Sequence, residues 1–146
     1  MNLVNFHKWA FYLQKKKLKF LANIIYKIQF LVFNSSVPPT VKIGAGSQFA
    51  YGGIGVVIHK NVIIGNNCTI GQGITIGGRS KKLNVPVIGD DVYIGAGVRI
   101  IGDIKIGNNV IIGPNSVVIH DIEDNTIVVG IPAKPIKKIK SIYDHI

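Results

Sequence analysis

The chain has 146 residues, of which 47% are hydrophobic, and a formal net charge of +10. This length fits one domain with an appendage, and the apolar content excludes an intrinsically disordered chain. The 17 glycines follow no Gly-X-Y period and occur with only 6 prolines, which excludes a collagen-like fold.

The first segment, residues 1–36, is basic and contains two apolar runs. It carries six lysines and no acid, and the first acidic residue of the chain is Asp90. Apolar residues recur over residues 2–33 and are interrupted by the cluster Lys15–Lys19, which predicts two helices. The apolar run Phe20–Phe33 is too short and too polar to span a bilayer.

Two roles are open for this segment. It can cap the open end of the repeat that follows, because a stack of repeats needs a cover with a polar outer face. Its lysines and apolar side chains can also contact the anionic inner face of a membrane. We expect no nucleic acid partner. The single cysteine, Cys68, has no partner for an internal disulfide, so we expect a cytoplasmic protein. The basic first segment would add peripheral contact with the inner face of the membrane.

From Val37 onward the chain repeats itself every six residues. One slot of each hexad holds isoleucine or valine, the next favours glycine, and turn residues such as Asn66-Asn67 follow. A helical period would scatter these glycines, so the pattern predicts short strands joined by tight turns. Coils stacked about 4.8 Å apart would bury one apolar column, as in a parallel β-helix. The apolar slot falls at positions 37, 43, 58, 64, 70, 76, 88, 94, 100, 106, 112 and 118, with Phe49 in the same slot.

Two places break the period. Nine positions separate Phe49 from Ile58, which indicates a three-residue insertion. The segment Gly78–Pro86 keeps the six-residue count but has Lys82 where isoleucine is due, so we expect it to leave the coil as a loop. Irregularities in a rigid repeat are favoured places for function.

The hexads of "IGDDVYIGAGVRIIGDIKIGNNVIIGPNSVV" and the closing "VVGIPAKPIKKI" resemble the hexapeptide-repeat acyltransferases. The resemblance covers residues 37–140 and is greatest to the serine acetyltransferase-like and polysaccharide O-acetyltransferase branch. It implies an all-β fold, a left-handed parallel β-helix with a short N-terminal α-helical segment, assembled as a homotrimer. The expected divisions are the helical segment 1–36, a β-helix domain 37–130 with loop 78–86, and a basic tail 131–146. Acetyl-coenzyme A is the implied acyl donor, without a metal.

His59 occupies a corner slot that neighbouring hexads give to glycine, directly after the insertion. Histidine suits a general base because its pKa lies near working pH. We expect His59 to project into a cleft between subunits, with Gly77 and Gly95 stacked beside it. The alternative is a surface histidine without a catalytic role. Three other histidines are expected to be solvated: His7, His120 and His145.

The sequence departs from the related enzymes at their own histidines. Those used by serine acetyltransferases would fall near Tyr51-Gly52 and Val85, and galactoside-type relatives carry theirs where this chain has Lys81. A lysine is usually protonated and is then a poor base. His59 is therefore the candidate base that is left.

The resemblance places the pantetheine arm of coenzyme A against small residues on stacked turns and its phosphates near the closing lysines. A solvated basic tail is the alternative for those lysines. The expected cofactor contacts are Gly95, Ala96, Pro114, Ile119, His120, Lys134 and Lys137, with Arg79 in the loop as a further candidate. The acceptor is expected beside the insertion and the loop, at Tyr51, Lys81, Lys82 and Asn84. Tyr51 could stack on a sugar or anchor the insertion.

These features predict an acetyl-coenzyme A dependent O-acetyltransferase that acts on a sugar hydroxyl of a surface polysaccharide, such as capsule or lipopolysaccharide, or its precursor. Direct transfer with His59 as general base is the expected mechanism. Serine acetylation in cysteine biosynthesis, nucleotide-sugar N-acetylation and a catalytically inert scaffold are the alternatives. Cys68 falls in an inward slot and is expected to be a core residue rather than a nucleophile.

Overall fold

The computed structural model describes residues 2–80 and 84–146. Helices α1 (Leu3–Lys15) and α2 (Lys19–Phe33) form a hairpin, and short strands follow in three sheets. Sheet 1 contains β1 (Lys42–Ile43), β4 (Ile63–Ile64), β7 (Val87–Ile88) and β10 (Lys105–Ile106). Sheet 2 contains β2 (Gln48–Phe49), β5 (Thr69–Ile70), β8 (Val92–Ile94), β11 (Val110–Ile112), β13 (Thr126–Gly130) and β14 (Ala133–Lys138). Sheet 3 contains β3 (Val57–Ile58), β6 (Thr75–Gly77), β9 (Arg99–Ile101) and β12 (Val117–Val118).

The chain visits the three sheets in turn, so each sheet is one face of a prism. Strands within a face are parallel from β1 to β13, and the apolar slots stack in register. Ile70 pairs with Ile94 and Ile76 with Ile100, and all four side chains are buried. Burying each isoleucine contributes about 1.5–3 kcal/mol. The parallel β-helix predicted from the hexads is confirmed.

Three edges join the faces, and we name them by the sheets that they connect. Edge 1–2 contains residues 44–47, 65–68, 89–91, 107–109 and 123–125. Edge 2–3 contains residues 50–56, 71–74, 95–98 and 113–116. Edge 3–1 contains residues 59–62, 78–80, 84–86, 102–104 and 119–121.

Polar side chains bind successive coils together at edge 1–2. Asp90 accepts the backbone N–H of Asn66 at 2.7 Å, and Asn108 accepts that of Asp90 at 2.8 Å. Asp124 continues the ladder by accepting from Asn108 at 2.7 Å. The following residue in these turns, such as Asn109, has positive φ, a conformation that asparagine and aspartate tolerate. The turn pairs of the hexads are therefore structural.

Strand pairing shows both interruptions of the repeat. Gln48 pairs with Thr69, 21 residues later, and Thr69 with Tyr93, 24 residues later, whereas Tyr93 pairs with Ile111 after the regular 18. The insertion thus adds three residues to one coil and the loop adds six to the next. The six residues that the loop adds do not advance the chain to a new face. Each hexad after the loop therefore lies one face away from the face that the residue count predicts. The expectation that Gly95 stacks near His59 is wrong for this reason, since Gly77 pairs with Ile101.

The helical hairpin covers the first coil of the β-helix. Leu3, Val4 and Phe33 belong to the same buried cluster as Val37. His7 donates a hydrogen bond from Nε2 to the carbonyl of Val41 at 3.0 Å, and this bond requires the proton on Nε2 because a carbonyl oxygen only accepts. Neither described helix is long and apolar enough to cross a bilayer.

His7 is buried, so the expectation that it is solvated is wrong. Its side chain is 3% exposed, and burial lowers its pKa because a charged ring would lose its hydration. The neighbouring apolar residues Leu3 and Val4 pack α1 against the first coil. The sequence around His7 does not indicate which side of α1 faces inward, so its burial could not be predicted.

The C-terminal residues form ordered structure rather than a free tail. Strand β14 pairs antiparallel with β13, and the chain then returns across the outer face of sheet 2. There Ile139 and Ile142 pack with Ile111 in a second buried cluster. Tyr143 donates a hydrogen bond to Asp91 at 2.8 Å, which raises the pKa of its phenol. The division at residue 131 therefore falls inside a strand pair.

Candidate functional site

His59 begins edge 3–1, immediately after β3. Its N–H donates to the carbonyl of Ile76 at 2.8 Å, and its own carbonyl accepts from Val62 at 3.0 Å. Since Ile58 points into the core, the following side chain turns outward at the corner, and the imidazole is exposed. The backbone is therefore fixed while the ring is open to solvent.

The hydrogen bond of the His59 ring determines which of its nitrogens carries the proton. Nδ1 accepts the backbone N–H of Asn61 at 3.3 Å. A neutral imidazole bonded in this way carries its proton on Nε2, which then donates rather than accepts. For Nε2 to act as a base, this long, exposed bond must open and Nδ1 must carry the proton. No carboxylate bonded to the ring is present among residues 2–80 and 84–146.

The surface next to His59 is open on the side of Gly77. A Cβ added to Gly77 would meet no atom of residues 2–80 and 84–146 within 4 Å, and its backbone is not left-handed. Neither close stacking nor conformation therefore requires glycine here. A shallow cavity of about 230 Å³ lies on the other side and is lined by Lys42, Lys60 and Asn61, among others. The surroundings of the imidazole are polar and positively charged.

The loop is tied back to the same edge. Asn84 Nδ2 donates to Asp103 Oδ2 at 3.0 Å, across to the next coil. Arg79 is exposed at the beginning of the loop. Lys81 and Lys82, two of the predicted acceptor contacts, lie outside the described residues.

Three of the expected cofactor contacts lie together on edge 2–3. Gly95 donates its N–H to the carbonyl of Ile112 at 2.8 Å, and Ala96 accepts from Asn115 at 2.8 Å. A Cβ on Gly95 would lie 2.7 Å from the backbone nitrogen of Pro114, so glycine is required for the coils to stack. Gly95 is buried, whereas Ala96 is partly exposed and Pro114 is exposed. The surface available to a ligand is thus formed by Ala96 and Pro114.

Tyr51 lies on edge 2–3 as well, in the insertion. Its φ of 49° is left-handed and its side chain is 79% exposed. The insertion is anchored by other groups: Ser35 Oγ donates to the carbonyl of Gly53 at 2.6 Å, and Leu3 packs so closely that a Cβ on Gly53 would clash with it. The ring of Tyr51 therefore does not anchor the insertion and is free to contact a ligand.

The lysines of β14 are also available. Lys134 and Lys137 are exposed and make no ion pair within the described part of the chain. Lys138 is the one engaged, at 2.8 Å from Glu123, and this contact lowers the pKa of the Glu123 carboxyl. Two cations on this strand thus remain free for an anionic ligand.

Apart from Lys134 and Lys137 on β14, the described site residues divide between two edges of the prism. His59, Arg79, Asn84, Ile119 and His120 lie on edge 3–1, and Tyr51, Gly95, Ala96 and Pro114 lie on edge 2–3. The face formed by sheet 3 separates these edges. Along edge 3–1, His120 follows β12, three coils from His59, or about 14 Å along the axis. One chain does not bring the two sets of residues together.

Cys68 is part of the core, as its slot predicts. Its side chain is fully buried, and its thiol donates to the carbonyl of Gly89 at 3.2 Å. Burial raises its pKa, so the thiol stays protonated and is a poor nucleophile. No group of three histidine, cysteine or acidic side chains that could hold a metal ion occurs in the described parts of the chain.

Comparison with known proteins places this arrangement in a family. The bacterial transferase hexapeptide profile, built of six repeats, matches residues 86–120. A serine acetyltransferase from Staphylococcus epidermidis is 40% identical over 95% of this chain and 68% of its own length. The chain belongs to the serine acetyltransferase family. Its relative from Bacillus subtilis is 37% identical over 95% of this chain and 66% of its own length.

Solved structures of the family have the same fold. The serine acetyltransferase of Neisseria gonorrhoeae superposes with a TM-score of 0.88 at 34% identity, over 97% of this chain and 55% of that chain. The Brucella abortus enzyme in complex with coenzyme A gives a TM-score of 0.89 at 28% identity, over 94% and 56%. The left-handed β-helix implied by the family resemblance is confirmed. This chain spans about two thirds of the length of its curated relatives and somewhat more than half of the solved chains.

Proposed function

We propose that this chain transfers an acetyl group from acetyl-coenzyme A to a hydroxyl group, with serine as the acceptor. The observation that carries the proposal is the alignment of 95% of the chain with serine acetyltransferases at 37–40% identity. A family member of the same fold binds coenzyme A, which supports the donor. The serine acceptor replaces the sugar acceptor as our first candidate because the relatives of this chain acetylate serine by name.

His59 is the proposed general base. Its Nε2 takes the proton of the acceptor hydroxyl while the oxygen forms a bond to the thioester carbon. The bond from this carbon to sulfur breaks, and the coenzyme A thiolate leaves and takes the same proton from His59, so charge and atoms balance and the base is restored. This step requires the ring form with the proton on Nδ1, so the bond with Asn61 opens when the acceptor binds.

A homotrimer is part of this proposal, because the predicted residues lie on two edges. When edge 3–1 of one copy faces edge 2–3 of the next, His59 lies level with Tyr51 of its neighbour, and the neighbour's Ala96 and Pro114 lie two and three coils, or about 10 and 14 Å, further along the same cleft. The pantetheine arm then lies against those small residues, and Lys134 and Lys137 supply positive charge for the phosphates. Arg79, Ile119 and His120 line the opposite wall of the same cleft.

The test is thiol release from acetyl-coenzyme A in the presence of serine. His59→Ala is expected to lower kcat/KM by about 10²-fold or more while the trimer stays folded. His145→Ala is the matched control, since His145 is an exposed histidine in the last residues of the chain and is expected to leave turnover unchanged. Near wild-type turnover of the His59 variant removes this residue as the base.

A sugar hydroxyl is the second candidate acceptor. The observation that favours it is the chain's departure at both histidine positions of serine acetyltransferases. Val85 is 9% exposed and belongs to the core, so it offers no polar contact to serine, and Tyr51 presents an aromatic ring that suits a sugar. Acetylation of sugars or nucleotide sugars without acetylation of serine would establish this candidate and overturn the first.

A further inference from the structure

The helical hairpin carries a large apolar surface that runs along α2 and reaches the end far from the β-helix. Contacts with the β-helix come from the base of the hairpin, through Leu3, His7, Gln29 and Phe33. The connection between the helices and the first turn of α2 protrude, and Phe20 there is 76% exposed. We call residues 15–24 the hairpin tip.

The apolar residues outside the core form a stripe rather than scattered positions. In α2 the buried face contains Ala22, Gln29 and Phe33. The opposite face contains apolar residues at helical spacing, and Leu31 among them is 80% exposed. On α1, Trp9 is exposed and lines the groove that continues to Ile25 of α2. The exposed apolar side chains of α2 are Phe20, Leu21, Ile24, Ile28, Phe30, Leu31 and Val32.

The charge of the same region has a single sign. Six lysines lie in residues 1–36, and no acidic residue occurs before Asp90. Four of them, Lys15, Lys16, Lys17 and Lys19, are exposed in the hairpin tip directly beside Leu18 and Phe20. Amphipathic surfaces that lie at a bilayer boundary combine an apolar face with lysines in this way.

We propose that the hairpin tip binds the surface of an anionic membrane, with Leu18 and Phe20 in the acyl boundary and the lysines at the headgroups. Charge complementarity selects this occupant over a second copy of the chain. Two hairpins that pack tip to tip would bring their lysines together with no acid in either hairpin to neutralise them. The proposal does not depend on the acceptor or on catalysis.

The experiment is flotation of the full chain with vesicles at low and high salt. Vesicles containing phosphatidylglycerol are expected to carry the protein at low salt, and pure phosphatidylcholine vesicles are not. Each lysine at an anionic surface strengthens binding about fivefold, so Lys16→Gln/Lys17→Gln/Lys19→Gln is expected to weaken it about a hundredfold. Leu18→Ser/Phe20→Ser is expected to abolish flotation even at low salt, because the charge alone does not insert.

The matched control removes the same charge from the β-helix. Lys42→Gln/Lys105→Gln/Lys140→Gln changes the net charge equally and is expected to leave flotation within about threefold of the wild type. Equal loss in both triple variants would show unspecific attraction and overturn the proposal. The proposal would also be overturned if the wild type does not float with anionic vesicles at low salt. If the wild type forms an assembly larger than that of Leu18→Ser/Phe20→Ser, the occupant of the hairpin tip is a second copy of the chain.

Discussion

At the scale of single residues, Tyr51 is the least expected feature of the structure. Most non-glycine residues with positive φ among those described are asparagine or aspartate, and Lys17 and Tyr51 are the exceptions. A left-handed conformation costs a residue with a bulky side chain roughly 1–2 kcal/mol relative to glycine. Because the ring is 79% exposed, packing does not offset this cost. Such strain is typical of groups held in place for function.

Replacing Tyr51 should therefore separate stability from activity. Tyr51→Gly is expected to raise the melting temperature by about 3 °C, because the strain is released. The same change is expected to lower kcat/KM for the acceptor at least about tenfold and leave the Kd for coenzyme A unchanged, since a contact to the acceptor is lost. Calorimetry, acceptor kinetics and coenzyme A titration measure the three quantities.

The control for this variant is Asn67→Gly, which also replaces a left-handed residue by glycine. It lies on edge 1–2, away from the proposed site, so acceptor kinetics should not change. If Tyr51→Gly also keeps wild-type kinetics, the tyrosine has no role at the acceptor and its conformation is unexplained.

At the scale of elements, the hexads predict the coil because each slot accepts only one kind of residue. The inward slot excludes polar side chains, and the corner slots need small residues or left-handed turns. The sequence could not assign faces after the loop, since the interval from Ile76 to Ile88 is twelve residues, a whole number of hexads, and the count alone does not reveal that the loop skips a face. The pairing of β14 with β13 was equally hidden, because lysine-rich residues 134–140 suggest phosphate contacts or a solvated tail, and neither interpretation predicts a strand.

Glycines at the corners should then differ in what they tolerate. A Cβ on Gly89 would lie 2.7 Å from the carbonyl oxygen of Gly107 and 2.8 Å from its carbon, so two coils would have to separate. Gly89→Ala is expected to destabilise the fold by about 1–3 kcal/mol in chemical denaturation. Gly77→Ala is the matched variant and is expected to change stability by less than about 0.5 kcal/mol, because its Cβ meets open space. Equal losses would show that corner stacking does not govern the choice of glycine.

At the scale of the whole molecule, the sequence suggests a set of candidate site residues but does not indicate on which edges of the prism they lie. His59 and Gly95, the neighbour of Ala96, occupy the same slot and are 36 residues apart, or two regular coils of 18, so the repeat alone suggests that they share an edge. The structure assigns them to edges 3–1 and 2–3, on either side of sheet 3. A site that uses both residues therefore needs two copies of the chain, which gives the expected trimer a physical reason.

Mixed trimers test this arrangement directly. His59→Ala removes the base, and Ala96→Trp fills the surface for the pantetheine arm, so each variant alone is expected to be inactive. In trimers assembled from equal amounts of both, about one interface in four joins an intact His59 to an intact Ala96, and about a quarter of wild-type turnover should return. Separately purified variants that are mixed after assembly are the control and should stay inactive as long as subunits do not exchange. If verified mixed trimers show no recovery, each site is contained in one chain, and the pairing of the two edges across a subunit boundary is wrong.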